Sequence, residues 1–277
     1  MALIEEFIAG RTPPELYQAY LTPLFETWSE VLVEALPPRG RVLDVACGTG
    51  IVTRKIAAQS GVTSVVGVDI APPMVEAADA LTNSTVPIKY SVSSADDTGL
   101  PDGHFQMAFC QQGLQFFPDK VAALDEIGRL LETGGKAAIA VWTSGDNGNP
   151  VFGAFEQIVA EELGADLVPF GPFSFGDRSK VEEVVTNSKL TPVSLEQEQR
   201  LAYLPDPRTL VLFDLLFLGR PGPDGSMHPL FDPSDSSKDE QIERIITKLI
   251  AATGQFAQSD GGLLAPSSAH VIVLEKD

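Results

Sequence analysis

Basic residues are scarce in this chain. Lysine and arginine together number 19 against 38 aspartates and glutamates, which gives the 277 residues a formal net charge of −19. No run of basic residues interrupts this excess of acid. Because a surface of this charge repels a phosphate backbone, DNA or RNA is not expected as substrate or partner.

Cysteines and long apolar runs are also few. The two cysteines, Cys47 and Cys110, lie far apart with the spacing of neither a metal site nor a disulfide framework, so no metal is expected. No segment approaches the roughly 18 apolar residues that a membrane-spanning helix needs, and the first residues lack a basic leader with a cleavage site. We therefore expect a soluble protein of the reducing cytoplasm with no membrane partner.

The first half of the chain alternates short buried-strand patterns with helical patterns. A helical arm is predicted over 13–36, and strands are predicted at 41–46, 65–69, 88–92, 105–110 and 136–142. Helices are predicted up to Ala58, from Pro72 to about Leu81 and from about Asp119 to Leu131. This alternation predicts an α/β fold with a parallel sheet covered by helices on both faces.

The alternation breaks down after Trp142. Helices are predicted at 151–163, 179–188 and 239–253, strands at 193–204 and 270–275, and a surface loop or mobile lid at 219–238, which is rich in Pro, Gly, Asp and Ser. The pattern predicts four regions: an N-terminal helical arm at 1–38, a ligand-binding core at 39–148, a cap or substrate region at 149–262 that includes the strand near 193–204, and a final core strand at 263–277.

The strongest chemical signal is the segment from Val42 to Gly50, VLDVACGTG, between a predicted strand and a predicted helix. Its glycines let a ligand approach the backbone, and the helix start offers free N–H groups. A dinucleotide-binding turn fits less well, because Thr53 stands where a third small residue is needed. Asp44 at the strand end would oppose a pyrophosphate but suits a ligand with an ammonium and a sulfonium group.

Two further acidic positions follow the next strands. Asp69 ends the second strand, where a carboxylate can accept hydrogen bonds from both hydroxyls of a ribose, or can serve only as a helix cap. Asp96 and Asp97 follow the third strand, where a carboxylate can accept the exocyclic amine of adenine, or can lie in a solvated turn. These placements suit any adenosine ligand.

The segments 42–50, 65–69, 95–101, 105–117 and 130–135 resemble, in this order, the motifs of class I S-adenosylmethionine-dependent methyltransferases. The likeness is greatest to the small-molecule group that includes the ubiquinone and menaquinone biosynthesis methyltransferases, the methyltransferase type 11 like group. The resemblance implies a doubly wound, seven-stranded, mostly parallel, Rossmann-like sheet with a helical cap inserted after strand 5. It also implies S-adenosyl-L-methionine as cofactor and methyl transfer to an oxygen, nitrogen or carbon atom of a small molecule.

Carried over residue by residue, the resemblance assigns Asp44 to the methionine ammonium, Asp69 to the ribose, and Asp96 with Asp97 to the adenine edge. The family usually has glycine where this chain has Ala46, a change that narrows the loop. The complete predicted cofactor site consists of Tyr17, Asp44, Ala46, Cys47, Gly48, Gly50, Asp69, Ile70, Met74, Ala95, Asp96, Asp97, Cys110, Gln111 and Gln112.

Aromatic residues are the candidates for substrate contacts. Tyr20 in the arm, Phe116 after the fourth strand, and Phe173 and Phe213 in the later segment could enclose the methyl group, or could be ordinary core residues. We expect the arm and the segment 150–262 to close the substrate pocket.

Among the three histidines, only His228 is a candidate catalytic base, since His104 lies in a polar turn and His270 begins a strand.

Three alternative functions remain open from the sequence. They are an NAD-dependent oxidoreductase, a non-catalytic S-adenosylmethionine-binding module, and an enzyme of this fold with a non-methylating reaction. Asp44 and Thr53 argue against the first of these. The sequence does not identify the substrate, the methylated atom or the oligomeric state.

Overall fold

The structure is a computed structural model that describes residues 2–164, 172–217, 219–221, 227–229 and 231–277, without the side chains of 217, 219–221 and 227–229. The chain forms two compact units. The first unit comprises Met1–Leu24, Ser144–Ser174 and Gln199–Ser268, and the second comprises Phe25–Thr143, Phe175–Glu198 and Ala269–Asp277.

Seven strands form the main sheet, in the order β3-β2-β1-β4-β5-β9-β6. They are β1 Gly40–Val45, β2 Val62–Asp69, β3 Ile88–Val92, β4 Phe105–Gln111, β5 Leu131–Trp142, β6 Thr191–Leu204 and β9 Leu263–Glu275. A separate antiparallel pair consists of β7 Gly219–Pro221 and β8 Met227–Pro229. The helices are α1 Leu3–Ile8, α2 Pro13–Ala35, α3 Ile51–Ala57, α4 Pro72–Leu81, α5 Lys120–Leu130, α6 Pro150–Leu163, α7 Arg178–Asn187, α8 Pro207–Phe217 and α9 Asp239–Thr253.

The strand pairing brings the chemically marked segments to one edge of the sheet. Strand β1 pairs in parallel with β2 and with β4, so that Asp44 lies opposite Gly67 on one side and Phe109 on the other. Strand β4 pairs in parallel with β5, and β9 runs antiparallel to β5. The predicted doubly wound, mostly parallel, seven-stranded sheet is therefore confirmed. Its carboxyl edge is where ligands bind in open α/β sheets.

Apolar residues at strand and helix spacing build the core of the second unit. Helix α5 begins after Asp119, whose side chain accepts the N–H of Ala122, and buries Leu124, Ile127 and Leu130 against the sheet. Burying each such side chain stabilises the fold by roughly 1.5–3 kcal/mol. This packing holds the strand ends, and with them the ligand-binding loops, in fixed positions.

The first unit is mainly helical. Helix α9 buries Ile242, Ile245, Ile246 and Leu249 along one face. The ring of Phe152 on α6 packs on that of Phe173 at a centroid distance of 4.6 Å. A Cβ added to Gly145 would lie 2.6 Å from Cα of Gly153, so the loop before α6 lies directly against the backbone of that helix.

Several sequence predictions differ from the structure. Strands β5 and β9 begin at Leu131 and Leu263, earlier than the predicted starts at 136 and 270. The region 219–238 is not wholly a loop, because β7 and β8 pair within it, Arg220 opposite His228, and the chain then enters a short 3-10 helix at Ser236–Lys238. Helices α1 and α8 have no counterpart among the predicted elements. The predicted four-region division stays a prediction.

Candidate functional site

The loop between β1 and α3 has an unusual backbone. Ala46, Gly48 and Gly50 have φ angles of 56°, 53° and 79°, all in the left-handed region. Glycine adopts this region freely, whereas an alanine there costs about 1–2 kcal/mol. A Cβ added to Gly48 would meet no atom within 4 Å, so the loop presents bare backbone to open space at that position. The loop is thus shaped for close approach of a ligand.

Asp44 links the two elements that flank this loop, β1 and α3. Its side chain is buried, and Oδ2 accepts the hydroxyl of Thr53 on α3 over 2.5 Å. Burial, followed by the nearby Asp69, raises the pKa of Asp44 to about 7, although the hydrogen bond from Thr53 acts in the opposite direction. Asp44 would therefore position the methionine ammonium indirectly, by holding the loop after β1 together with Thr53.

Asp69 joins two of the predicted motifs. Its Oδ2 accepts the backbone N–H of Gly48 over 2.8 Å, and its Oδ1 accepts the N–H of Ala71 over 2.9 Å. The cap position of α4 is Ala71, so Asp69 is not the N-cap residue of that helix. Each carboxylate oxygen has two lone pairs, which leaves acceptor capacity for a ligand. The carboxylate thus fixes the β1 loop and remains able to accept hydroxyl donors.

The next two loops complete the adenosine side of the predicted site. The side chain of Ile70 is 71% exposed directly after Asp69, which is unusual for a large apolar residue. Met74 on α4 and Ala95 are half-buried, and Asp96 and Asp97 are exposed. The structure thus places an apolar side chain and two carboxylates on the loops that follow β2 and β3.

The loop after β3 is tied to helix α5 through Glu126. The buried Glu126 carboxylate accepts the N–H of Thr98 over 2.9 Å and its hydroxyl over 2.6 Å, and it also pairs with Arg129. The hydrogen bonds from Arg129 lower the pKa of Glu126 to about 2. This network fixes the backbone next to Asp97. The sequence motif alone did not single out Glu126.

The two cysteines lie within the site but are poor nucleophiles. Both are free and buried. Burial raises the pKa of Cys110 to about 12 and raises that of Cys47 still further above its ordinary value. Since the thiolate is the reactive form, both residues act here as small packing side chains.

Three glutamines, Gln111, Gln112 and Gln115, lie at or just after the end of β4, and each has a buried amide atom without a hydrogen-bond partner among the described residues. Gln111 donates its side-chain N–H to the carbonyl of Phe25 over 3.0 Å, while its Oε1 has no partner among the described residues. Gln112 and Gln115 are buried, and within the described part of the chain neither amide has a hydrogen-bond partner at its nitrogen or its oxygen. A buried polar group left unpaired costs about 1–3 kcal/mol. Sequence reasoning missed Gln115; its only signal was a third glutamine in the segment QQGLQ.

The aromatic candidates for substrate contact lie in different units. Phe116 belongs to the second unit and is 60% exposed. In the first unit, Tyr20 stacks on Phe7 at 5.5 Å and contacts Phe213 edge to face at 6.4 Å. Tyr17 is a half-buried member of the same helix, α2. These contacts fit either ordinary packing or a pocket wall, so the predicted substrate roles stay predictions.

The histidines provide no base among the described side chains. The side chain of His228 lies outside the described residues, although its backbone is part of β8. His104 is exposed with its ring edge-on to Phe105. His270 is buried, its Nε2 is 3.0 Å from the carbonyl oxygen of Gly176, and burial lowers its pKa. His270 is therefore structural, as predicted.

The described residues fit S-adenosylmethionine as a group. The open backbone at Gly48, the spare acceptor capacity of Asp69 and the exposed side chain of Ile70 provide room and partners for the methionine and adenosine parts. Within the described ranges no group of three or more His, Cys, Asp or Glu is placed to hold a metal ion. No described helix is both long enough and apolar enough to cross a membrane.

Comparisons with known proteins agree with this geometry. Residues 42–135 match a family model described as a methyltransferase domain. The chain is 32% identical over 131 residues to the 2-methyl-6-phytyl-1,4-hydroquinone methyltransferase of Synechocystis, covering 47% of this chain but only 41% of that protein. It is 30% identical over 167 residues to the ubiquinone biosynthesis O-methyltransferase of Xanthomonas oryzae, covering 60% of this chain and 67% of that protein.

Solved structures show the same fold at low identity. A candidate methyltransferase from Bacillus halodurans shares it with a TM-score of 0.59 and 15% identity, covering 90% of this chain and 99% of that one. The [4+2]-cyclase SpnF shares it with a TM-score of 0.51 and 14% identity, covering 91% and 80%. These likenesses support the fold, and the sequence relationship to the Xanthomonas enzyme supports the family. The chain belongs to the class I S-adenosylmethionine-dependent methyltransferases.

Proposed function

We propose that the protein transfers the methyl group of S-adenosylmethionine to a small molecule with a hydroquinone or related phenolic ring. The ring chemistry is supported by the names of the two relatives above, one a hydroquinone methyltransferase and the other an O-methyltransferase of ubiquinone biosynthesis. The acidic composition supports a small molecule over a nucleic acid. The acceptor atom is a ring oxygen or a ring carbon.

The arrangement of Asp69 and Gly48 is the observation that carries the proposal. Asp69 would bind the ribose hydroxyls, and the bare backbone around Gly48 would bind the methionine part. Ile70 would contact the adenine face, with Asp96 or Asp97 accepting its amine. The remaining predicted cofactor residues of the second unit are proposed as the lining of the same site: Ala46, Cys47, Gly50, Met74, Ala95, Cys110, Gln111 and Gln112. The cofactor role of Tyr17, which belongs to the first unit, stays a prediction of the sequence.

S-adenosylmethionine, when bound, supplies a methyl group activated by its sulfonium. The chain has to orient this group, bring the acceptor atom into line and exclude water. Asp44 and Thr53 would hold the loop that positions the methionine part. Alignment alone accounts for much of the rate enhancement in such transfers, so a dedicated base is not required; His228 remains the proposed base if one is used.

A cytoplasmic location is also part of the proposal. It is supported by the two free thiols, Cys47 and Cys110, which suit a reducing compartment. The substrate roles of Tyr20, Phe173 and Phe213, which all belong to the first unit, stay predictions of the sequence.

Product analysis tests the proposed function. The protein is incubated with S-adenosylmethionine and methylhydroquinone, and the products are separated and weighed by mass spectrometry. We expect one S-adenosylhomocysteine for each methylated ring, and an equal fall in both products for Asp69→Ala when the cofactor concentration is limiting. Cofactor binding without S-adenosylhomocysteine would instead favour a binding module or a non-methylating enzyme, a use to which this fold is put in the [4+2]-cyclase.

A further inference from the structure

The side-chain amides of Gln112 and Gln115 are buried but make no hydrogen bond within the described part of the chain. They are 3% and 6% exposed, and all four of their side-chain nitrogen and oxygen atoms lack a hydrogen-bond partner among the residues that the structure describes. Folding removes these atoms from water without replacing the lost hydrogen bonds, so both side chains are a net cost to the chain on its own.

Gln106, in the same unit, has hydrogen-bond partners at both atoms of its side-chain amide. Oε1 of Gln106 accepts the N–H of Arg41 over 2.7 Å, and its Nε2 donates to Glu132 over 2.5 Å. Gln106 lies near the start of β4, at the end of the strand opposite to the site. The unpaired amides are thus confined to the ligand-binding end of this strand.

The glycine between the two amides places them next to the cofactor loop. A Cβ added to Gly113 would lie 2.6 Å from Cβ of Ala46 and 2.9 Å from Sγ of Cys110, so this segment packs tightly on the loop after β1. Gln112 itself has a φ of 46°, in the left-handed region that costs a non-glycine residue energy. The short segment that carries both glutamines, with its costly backbone at Gln112, therefore packs against the loop that is to hold the methionine part.

We infer that Gln112 and Gln115 recognise the substrate by hydrogen-bonding to the oxygen atoms of its phenolic or hydroquinone ring. This inference rests on the proposed function and deepens it. An amide offers an N–H donor and a carbonyl acceptor, and a neutral hydroxyl can use both. An anionic group is disfavoured, because Asp69 ends β2 at the same carboxyl edge of the sheet.

Phe116 completes the match to such a ring. Its side chain is 60% exposed and belongs to the same short helix, Leu114–Phe116, as the buried Gln115. One short segment thus offers amides for the ring oxygens and an aromatic face for the ring carbons. A site built to hydrogen-bond a hydroxyl rejects analogues that lack it, because its own polar groups are then left unpaired.

The test compares Gln115→Met and Gln112→Met with Gln106→Met as the matched control. Methionine keeps the length of the side chain and removes its hydrogen-bonding atoms. Each protein is measured by thermal unfolding without ligand, by calorimetric titration with S-adenosylhomocysteine, and by titration of the S-adenosylhomocysteine complex with methylhydroquinone.

For Gln115→Met we expect an unchanged or higher melting temperature, S-adenosylhomocysteine affinity within about twofold of wild type, and methylhydroquinone affinity reduced by roughly tenfold or more. Gln112→Met should reduce methylhydroquinone affinity similarly. Gln106→Met should lower the melting temperature, because its partners lose their bonds, and should leave both affinities unchanged. Toluene, which has no ring hydroxyl, should bind to the wild type and to Gln115→Met with the same affinity.

Several results would overturn the inference. A melting temperature that falls for Gln115→Met as it does for the control would assign Gln115 a structural role. Unchanged methylhydroquinone affinity in both site variants would remove the amides from substrate recognition. A wild-type protein that binds S-adenosylhomocysteine but not methylhydroquinone would reject the assigned ring chemistry and leave the family assignment intact, whereas failure to bind S-adenosylhomocysteine would reject the proposed function itself.

Discussion

The carboxylate of Asp69, at the end of β2, accepts the backbone N–H of Gly48, in the loop after β1, over 2.8 Å. The second oxygen of Asp69 accepts the N–H of Ala71 over 2.9 Å. One side chain therefore fixes two loops that are neighbours at the carboxyl edge of the sheet. This coupling explains why an acidic residue at the end of β2 matters for the shape of the β1 loop as well as for a ribose.

Replacing Asp69 should weaken cofactor binding. We expect Asp69→Ala to reduce S-adenosylhomocysteine affinity by about 10- to 100-fold, which corresponds to roughly 1–3 kcal/mol for the lost hydrogen bonds. Calorimetric titration measures the change. Asp79→Ala is the control, since Asp79 is exposed on α4 in the same unit; equal effects of the two changes would contradict a role for Asp69 at the ligand.

Gly48 and Gly134 allow a test of the bare backbone in the loop. Both have positive φ angles, 53° and 76°, and neither would bring a new Cβ within 4 Å of another atom. Replacement by alanine should therefore destabilise the protein similarly, by about 1–2 kcal/mol, as denaturant unfolding can measure. Only Gly48→Ala should weaken S-adenosylhomocysteine binding. An equal loss of affinity in both variants would show that backbone strain, not space for the ligand, is responsible.

The buried Asp44 should make stability depend on pH. Its pKa rises from 3.8 to about 7 on folding, so the folded state holds the proton more tightly than the unfolded state. Stability from this group is therefore present below the unfolded pKa and is lost as the pH rises from about 4 to about 7. Asp44→Asn should be nearly neutral at pH 4 and stabilising by roughly 2–4 kcal/mol at pH 8.

Burial also raises the pKa values of Glu156 and Asp214 to about 7. Both residues remain in the Asp44→Asn variant, so the difference in stability between wild type and variant reports on Asp44 alone. Urea unfolding at several pH values measures the difference between the two proteins. A difference that does not change between pH 4 and pH 8 would show that Asp44 is ionised to the same extent in both states.

Glu126 should matter for stability and for the adenine loop. Glu126→Ala leaves the buried Thr98 without its acceptor and leaves Arg129 paired only with Asp102, which should cost about 1–3 kcal/mol. We also expect weaker S-adenosylhomocysteine binding, because the backbone beside Asp97 is released. Glu126→Gln, which can still accept from Thr98, should recover most of the affinity but not all of the stability. Normal cofactor affinity in a destabilised Glu126→Ala protein would limit Glu126 to folding.

Most of the sheet could be predicted from the sequence because its strands are short apolar runs bounded by strong turn signals. Helix α4 was predicted at its observed bounds, since Pro72 and Pro73 mark its first turn. Helix α8 was missed because it is apolar nearly all round and shows no clear helical period. The β7 and β8 pair was hidden by a composition typical of loops.

The roles of the candidate site residues stay predictions, but the positions of some of them were visible in the sequence. Asp44 lies near the end of β1, Gly48 in the loop after β1 and Asp69 at the end of β2, so their spacing follows the strand pattern. The burial of Gln115 without a hydrogen-bond partner among the described residues was not visible in the sequence, because it exists only in the folded chain. The link from Glu126 to Thr98 joins residues 28 positions apart and likewise exists only in the folded chain.

Calorimetric titration of the wild-type protein with S-adenosylhomocysteine, and separately with NAD⁺, tests the central claim most directly. We predict saturable binding of one S-adenosylhomocysteine per chain with a dissociation constant below roughly 1 mM, and no binding of NAD⁺ at the same concentration. Absence of S-adenosylhomocysteine binding at about 1 mM, or binding of NAD⁺ in its place, would contradict the account.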